Sequence, residues 1–293
     1  MRSKLLLTGL LMIGLSYTTV WAQGDLAIVA GISNYQGELA SYNFSNGFKA
    51  KVGPVIGFHA GYELSRRFQF RSDLLYLRLS GDDKLNDQEI TRARNLSFFS
   101  PVFQLAGGID WNILGFSQIN ASSFSPYASL GVSLFYMNPK TNYQGKKIAL
   151  HPLGTEGQYL PDYPDQKPYS LLQPSIQLGG GLKLFTSGKI IIAIEAMMSY
   201  TFTDYIDDVS TIYINYDELL AKAGPLTAAL ANREGEYINA GPVIVPTGTQ
   251  RGNDTTNDFF GTITIRFGIP IEISSNQFKV RHKNGKTIHC PKF

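Results

Sequence analysis

Residues 257–271 read NDFFGTITIRFGIPI, and apolar and polar side chains alternate along this stretch. In an extended chain, successive side chains point to opposite faces. One face of this stretch therefore carries the apolar residues Phe259, Ile263, Ile265 and Phe267. The opposite face carries Thr262, Thr264 and Arg266. This alternation predicts a β-strand with one apolar and one polar face.

Seven further segments show a similar alternation. Together they give eight predicted strands, at residues 25–33, 54–64, 68–80, 96–114, 126–138, 171–185, 189–203 and 257–271. The connections between the strands alternate in length. The longer, odd-numbered ones are residues 34–53, 81–95, 139–170 and 204–256. Short turns at one end of the strands and long loops at the other are typical of bacterial outer-membrane barrels.

The predicted fold is therefore all-β, an eight-stranded antiparallel up-and-down transmembrane β-barrel of OmpA-like size. A soluble β-sandwich is the alternative, because it also alternates apolar and polar faces. In the barrel, residues 23–272 form the strands and loops, and residues 273–293 form a short periplasmic tail. An even number of strands puts both termini on the periplasmic side. Within the loop 204–256, the Ala- and Leu-rich residues 216–233 predict two short helices.

The N-terminal residues have the parts of a secretory signal peptide. Arg2 and Lys4 precede an apolar run at residues 5–15, and Ala22 ends a small-residue cleavage motif. We expect cleavage after Ala22 to remove residues 1–22 and the mature chain to reach the outer membrane. No later segment has the ~18 consecutive apolar residues of a transmembrane helix. The formal net charge of +3 does not indicate nucleic-acid binding. The single cysteine, Cys290, excludes an internal disulfide.

Six charged side chains fall on the polar faces of the strands, away from the strand ends. They are Arg71, Asp73, Asp110, Lys183, Glu195 and Arg266, three of each sign. An eight-stranded barrel is just wide enough to be filled by side chains, so these charges are expected to pair across the lumen and leave no channel. Aromatic residues near the strand ends suit the girdles at the membrane surfaces. These are Tyr62, Phe68, Trp111, Tyr127, Tyr136, Phe202 and Phe267.

Few motifs of catalytic chemistry occur in the sequence. His59 is expected to lie in the lumen, within a hydrogen-bonded network. His151 lies in the fifth connection with Glu156 and Asp162, and such a pair of histidine and acid would suit a hydrolase or lipid-modifying barrel. That enzyme is the main alternative to a non-enzymatic barrel, and a passive pore or a surface adhesin is the other. The leading prediction is a non-enzymatic protein without catalytic residues, cofactor or small-molecule substrate.

An acidic cluster follows the seventh predicted strand in the segment FTDYIDDVS. Its members Asp204, Asp207 and Asp208 could bind calcium through carboxylate oxygens. The segment lacks the glycine and terminal glutamate of a regular calcium loop. Turn formation and hydrogen bonds to the loop backbone are therefore the default expectation, and no metal is predicted.

The residues after 273 form a basic stretch without any acidic residue. Its basic residues and cysteine are Lys279, Arg281, Lys283, Lys286, Cys290 and Lys292. Such a stretch is either a solvated tail or an electrostatic contact with lipid head groups, the cell wall or an acidic partner. The second interpretation makes these residues candidates for partner binding.

Segments along nearly the whole mature chain, in the same order, resemble one known family. They are ARNLSFFSPVFQLAGGIDWNI (93–113), PYASLGVSLFYMNPK (126–140), LHPLGTEGQ (150–158), YSLLQPSIQLGGGLKL (169–184), TFTDYIDDVS (201–210), QRGN (250–253) and CPKF (290–293). This set is similar to PorG-like proteins, outer-membrane β-barrel components of the type IX secretion system of Bacteroidetes. The resemblance implies a part in the export of cargo proteins and, in some relatives, in gliding motility. It also implies contact with a periplasmic ring made of a lipoprotein and its partner, and it supplies no catalytic residues.

Overall fold

The computed structural model describes residues 22–40, 51–116, 123–186 and 189–273. The strands in this part of the chain are β1 (Ala22–Gln36), β2 (Gly53–Glu63), β3 (Phe68–Asp82), β4 (Ser97–Asn112), β5 (Ser123–Met137), β6 (Lys140–Tyr143), β7 (Lys146–Ala149), β8 (Leu172–Phe185), β9 (Ile191–Thr201) and β10 (Phe259–Ile273). The helices are α1 (Glu89–Arg94), α2 (Tyr216–Ala223), α3 (Pro225–Ala231) and α4 (Glu234–Tyr237). Short 3-10 turns occur at Asp83–Leu85 and His151–Leu153. The predicted signal peptide and basic tail lie outside the described residues, apart from Ala22 and Ile273.

The eight long strands form a closed antiparallel barrel. The strands are hydrogen-bonded in the order β3-β2-β1-β10-β9-β8-β5-β4, and a further pairing of β3 with β4 closes the circle. The first and last strands pair along their whole length, from Ala22 opposite Ile273 to Gln36 opposite Phe259. Closure pairs each of the eight long strands on both sides, which removes the free edges that an open sheet would expose. The predicted eight-stranded antiparallel barrel is confirmed, and each predicted strand overlaps one of the observed long strands.

The outer surface of the barrel wall is apolar. Ile28, Phe58 and Leu130 on three different strands each expose more than half of their surface, at 64%, 65% and 61%. Similar side chains project outward from the other long strands. Exposure of an apolar surface of this extent to water is unfavourable, whereas contact with the hydrocarbon of a membrane is favourable. Within the described residues, no helix has the length and apolar character needed to cross a membrane.

The barrel interior differs between its two ends. Buried charged side chains occupy the end with the short turns, where Asp25 and Lys183 lie. At the loop end, an apolar cluster fills the interior. Its members include Leu77, Leu79, Val102, Phe135, Met137 and Phe260 from the strands, and Leu39, Ile206 and Leu230 from the loops. The expectation that polar faces fill the whole lumen therefore holds for one end only, because the strands carry apolar residues on both faces near the loops.

The long loops fold into a cap over the loop end. A small hairpin of β6 and β7, which lies in a connection predicted as loop, turns at Gln144 and Gly145. Both of these residues have positive φ, as a two-residue hairpin turn requires. The predicted helices within residues 216–233 are present as α2 and α3. Gly224, with φ of 90°, separates them, and a proline opens the second helix, a position that suits its fixed φ.

Candidate functional site

Arg71 is the centre of the charged network in the lumen. Its guanidinium group contacts both carboxylate oxygens of Glu195, at 2.6 and 3.0 Å. The Arg71 Nε donates to Asp73 at 2.8 Å, and one Nη lies 3.3 Å from Asp110. All four side chains are buried. Buried charges need such partners because the interior does not solvate them.

Arg266 and Lys183 complete the set of six charges predicted for the lumen. The Arg266 guanidinium lies 3.3 Å from Glu195, and the Lys183 amine lies 3.4 Å from Asp110. Tyr127 donates a hydrogen bond of 2.8 Å to Glu195. The structure thus brings the six predicted charges into one connected network of ion pairs.

Three further side chains join this network. His59 lies between Asp73 and Asp25, with ring nitrogens 2.7 and 3.5 Å from their carboxylates. Asp25 also accepts a hydrogen bond from Gln69. The alternation predicted His59 in the lumen. It did not include Asp25 among the lumen charges, because Asp25 is the first residue of its predicted strand. The prediction that Tyr127 belongs to an outer aromatic girdle is wrong, since its ring is buried among the lumen charges.

Side chains fill the lumen around the ion pairs. The space between Arg71, Glu195 and Arg266 is a cavity of about 10 Å³. That volume holds about one water molecule. The described side chains therefore leave little room for water between these ion pairs.

Glu156 holds the cap together from within. Its carboxylate is fully buried and accepts hydrogen bonds from the backbone N–H groups of Ser210 and Thr211, at 2.9 and 3.1 Å. Arg251 donates to the same carboxylate at 2.8 Å and to the Asp208 carbonyl oxygen at 2.7 Å. Three of the segments that carry the family resemblance, 150–158, 201–210 and 250–253, therefore pack against one another in the cap.

The His151 side chain takes part in the packing of the cap. Its Nε2 makes a 2.8 Å hydrogen bond to the Tyr169 carbonyl oxygen, and the two rings pack edge to face at 4.7 Å. The two candidate acids have other partners, because Glu156 pairs with Arg251 and Asp162 pairs with Lys222. In the part of the chain that the structure describes, no hydrogen bond joins His151 to either acid.

The acidic cluster of FTDYIDDVS divides into two parts. Asp208, with φ of 69°, accepts hydrogen bonds from Thr155 and Tyr169, each at 2.7 Å. The Asp207 side chain points to the side of the segment opposite to Asp208. It accepts hydrogen bonds from the Tyr35 hydroxyl at 2.7 Å and from the Leu39 N–H at 3.1 Å. The three aspartates therefore do not form the single calcium-binding set considered from the sequence.

Two acids that are distant in sequence join Asp207 instead. Asp258 accepts from the same Tyr35 hydroxyl at 2.7 Å and from the Ile206 N–H at 2.9 Å. One oxygen each of Glu38, Asp207 and Asp258 lie within 4.8 Å of one another. Sequence reasoning missed Glu38 and Asp258, and only the adjacency of β1, β9 and β10 could have indicated them.

Burial and mutual repulsion raise the pKa of these carboxyl groups above that of an exposed aspartate. Burial raises the pKa of Asp204 to about 9, and the neighbouring Glu38 charge adds to the rise. Burial also raises the pKa of Asp207 and Asp258 well above the usual value, with contributions from the other acids of the group. These carboxyl groups therefore hold their protons to higher pH than exposed acids do, unless a positive charge lies beside them.

A groove of about 810 Å³ opens beside this group on the outside of the cap. Glu38 and Arg94 line it, together with the exposed Ile90 of α1 and the residues around Gln250. Glu38 is the member of the acidic group that lines this groove. The predicted partner-binding residues of the tail, Lys279, Arg281, Lys283, Lys286, Cys290 and Lys292, lie outside the described residues.

Comparisons with known proteins give a family and distant structural neighbours. Residues 3–224, more than half of the chain, match the family described as a domain of unknown function, DUF6089. No curated protein matches the chain. Ail, the attachment invasion locus protein of Yersinia pestis, is similar at 10% identity and a TM-score of 0.40, over 86% of this chain and 100% of that chain. Neisserial surface protein A is similar at 11% identity and a TM-score of 0.38, over 85% and 97%. The outer membrane enzyme PagL is similar at 11% identity and a TM-score of 0.30, over 85% and 99%.

Proposed function

This chain belongs to the DUF6089 family, and we propose that it is a non-enzymatic outer-membrane component of the type IX protein secretion system. In this proposal the barrel anchors the machinery in outer-membrane lipid, with both termini in the periplasm. The tail after Ile273 contacts a periplasmic ring made of a lipoprotein and its partner. The ordered segments that resemble PorG-like proteins support this identity.

The filled lumen is the observation that favours an assembly role over a pore. Arg71, Glu195 and Arg266 leave a cavity of only about 10 Å³ between them, and an apolar cluster lies above them toward the loops. A passive channel would need a wide, hydrated interior, as the larger barrels have. What remains available to a partner is the cap, the lipid-facing wall and the periplasmic end.

The surroundings of His151 favour a binding protein over a hydrolase. A general base must lie within hydrogen-bond reach of the proton that it abstracts, and an orienting acid usually holds its ring. His151 is bound to a backbone carbonyl group and packed against Tyr169. The substitution His151→Ala tests the alternative. If the variant barrel assembles but loses a lipid-hydrolysing activity of the purified protein, the enzymatic reading replaces the present one.

The experiment that tests the proposal is affinity purification from gently solubilised membranes of the native host, followed by mass spectrometry. We expect a periplasmic lipoprotein, its ring partner and other secretion components to copurify. Recovery of the barrel alone would contradict the assembly role.

A pair of matched variants tests the contact made by the tail. Replacing Lys279, Arg281 and Lys283 with glutamine removes three positive charges from the tail. The control replaces Lys146, Lys147 and Lys167, three exposed lysines of the cap, in the same way. We expect the tail variant to lose the ring components and the cap variant to retain them, because in this proposal the tail faces the periplasm and the cap faces the opposite side. Equal recovery from both variants would refute the tail contact.

A further inference from the structure

Four carboxylates converge at the mouth of the barrel. Glu38 follows β1, Asp204 and Asp207 follow β9, and Asp258 immediately precedes β10. Because β1, β10 and β9 are neighbours in the sheet, the loop ends of these strands lie side by side. In the described ranges, no lysine or arginine nitrogen lies within ion-pair distance of any of the four acids.

The hydrogen-bond donors of the group are too few for its oxygens. The Tyr35 hydroxyl lies 2.7 Å from Asp207 Oδ2 and 2.7 Å from Asp258 Oδ1. A hydroxyl carries one proton, so it can donate to only one of the two carboxylates. The carboxylate that does not receive the Tyr35 proton then lies 2.7 Å from an oxygen atom without a hydrogen bond between them. That contact is stable only if the carboxyl group is protonated or a cation lies beside it.

Asp204 provides an independent indication of a ligand. Its side chain is buried, with only 7% of the residue surface exposed, and within residues 22–40, 51–116, 123–186 and 189–273 neither carboxylate oxygen has a hydrogen-bond partner. The Ser210 side chain is nearby, and the charge of Asp204 lies close enough to those of Glu38 and Asp207 to be repelled by them. One Glu38 oxygen is likewise buried with no hydrogen-bond partner among the residues that the structure describes. Unpaired carboxylate oxygens that are buried next to other acids are costly unless a cation binds them.

The nearest guanidinium groups are bound elsewhere. Arg94 donates to both Asp83 oxygens and to the carbonyl groups of Arg251 and Glu38. Arg251 pairs with Glu156 on the other side of the segment 204–210. Neither arginine can turn toward the mouth acids without the loss of these bonds.

We infer that Glu38, Asp204, Asp207 and Asp258 form a binding site for a divalent cation, and that calcium is the cation. The donors are all oxygen atoms, which hard cations prefer, and the absence of histidine and cysteine from the group argues against zinc. Calcium accepts irregular geometry and mixed carboxylate and carbonyl ligands from loops, whereas magnesium requires a near-octahedral set. A cation here would link the loop ends of β1, β9 and β10, and Glu38, the most exposed of the four acids, also lines the outer groove.

Terbium luminescence tests this site in the full-length protein, extracted in detergent and treated with a chelator. Terbium replaces calcium in oxygen sites, and tyrosine absorption sensitises its emission, so Tyr35 serves as the built-in donor. We expect saturable emission that calcium displaces, with calcium affinity on the order of 10⁻⁴ to 10⁻³ M, as is usual for extracellular calcium modules. Failure of calcium to displace terbium, or an absence of emission, would overturn the inference in favour of a cluster that holds extra protons.

Substitutions assign the site to these residues. Asp204→Asn and Glu38→Gln each remove one charged ligand and should weaken calcium binding about tenfold or more, because affinity depends on ligand charge. Asp254→Asn removes an exposed acid from the same loop region and should leave binding unchanged. Heat-modified mobility in gel electrophoresis checks that each variant still forms the barrel. Equal binding by folded Asp204→Asn and Asp254→Asn proteins would refute the assignment, whatever the outcome for the secretion role.

Discussion

Replacing Arg71 with glutamine removes the guanidinium group that contacts three lumen carboxylates. In the native protein it binds Glu195 through two nitrogens and also contacts Asp73 and Asp110. Only Lys183 and Arg266 would remain as fixed positive charges for these acids. The companion substitution Glu195→Gln removes the carboxylate that makes the bidentate contact with Arg71. The double variant removes both members of the pair and restores the balance of charge.

The expected magnitudes follow from burial. Loss of one partner from a buried ion pair costs about 3–5 kcal/mol, because the remaining charge is left without solvation. We place Arg71→Gln near the upper end of this range, since it removes a contact from three acids at once and leaves only Asp110 and Glu195 with another fixed cation within ion-pair distance. Glu195→Gln should cost less, near 3 kcal/mol, because Arg71 keeps Asp73 and Asp110 as partners. Contacting residues show coupling of roughly 0.5–3 kcal/mol, so the double variant should lose less stability than the sum of the single losses.

Urea unfolding of the barrel in lipid vesicles measures these losses, with tryptophan fluorescence and gel mobility as independent signals. Lys222→Gln, which removes the two surface ion pairs of Lys222 with Asp162 and Glu218 in the cap, is the control and should leave the unfolding midpoint unchanged. Additive losses in the double variant, or a loss from Arg71→Gln no larger than that of the control, would refute the account of the lumen as a coupled charge network.

Three further outcomes are expected. Leu77→Ala, inside the apolar cluster, should lose about 2–5 kcal/mol in the same urea titration, and Leu74→Ala, on the lipid-facing side of the same strand, should lose less. Equal losses would contradict the apolar interior. Glu156→Gln weakens the hydrogen bonds inside the cap, so proteases should cut residues 204–256 faster while the barrel still forms; unchanged cutting would show that the cap does not depend on this carboxylate. The native protein in planar bilayers should give no discrete conductance steps, and regular steps would exclude a filled lumen.

Periodicity was sufficient to predict the barrel wall. The alternation in residues 257–271 assigned Arg266 to the interior and Phe267 to the lipid face, as the structure has them. The same reasoning failed for Tyr127, because a phenol ring suits either a membrane girdle or a polar interior, and only the neighbours across the lumen decide between them. It also gave no sign of the apolar cluster, because residues such as Leu74 and Leu75 make both faces of β3 apolar.

The acidic group at the mouth could not be predicted from the sequence, and the reason is a different one. Proximity along the chain suggested that Asp207 and Asp208 act together, yet their side chains point to opposite sides. The actual neighbours, Glu38 and Asp258, are separated from Asp207 by 169 and 51 positions. Strand order brings them together, and strand order follows from closure of the barrel, which pairs β1 with β10.

The apolar layer between the two charged regions of the interior blocks the passage of ions through the barrel. The acids at the mouth and the charged network near the short turns are separated by apolar side chains, including Phe135 and Phe260. A cation that crossed this layer would lose its hydration without gaining new ligands, which is prohibitively costly. A cation held by Asp204 and Asp207 would therefore be a structural element of the cap and would not permeate the barrel. The two ends of the barrel are also joined by the hydrogen-bonded wall, whose long strands are paired on both sides. A wall paired in this way holds the cap at a fixed distance from the short turns, which is what the proposed anchoring role requires.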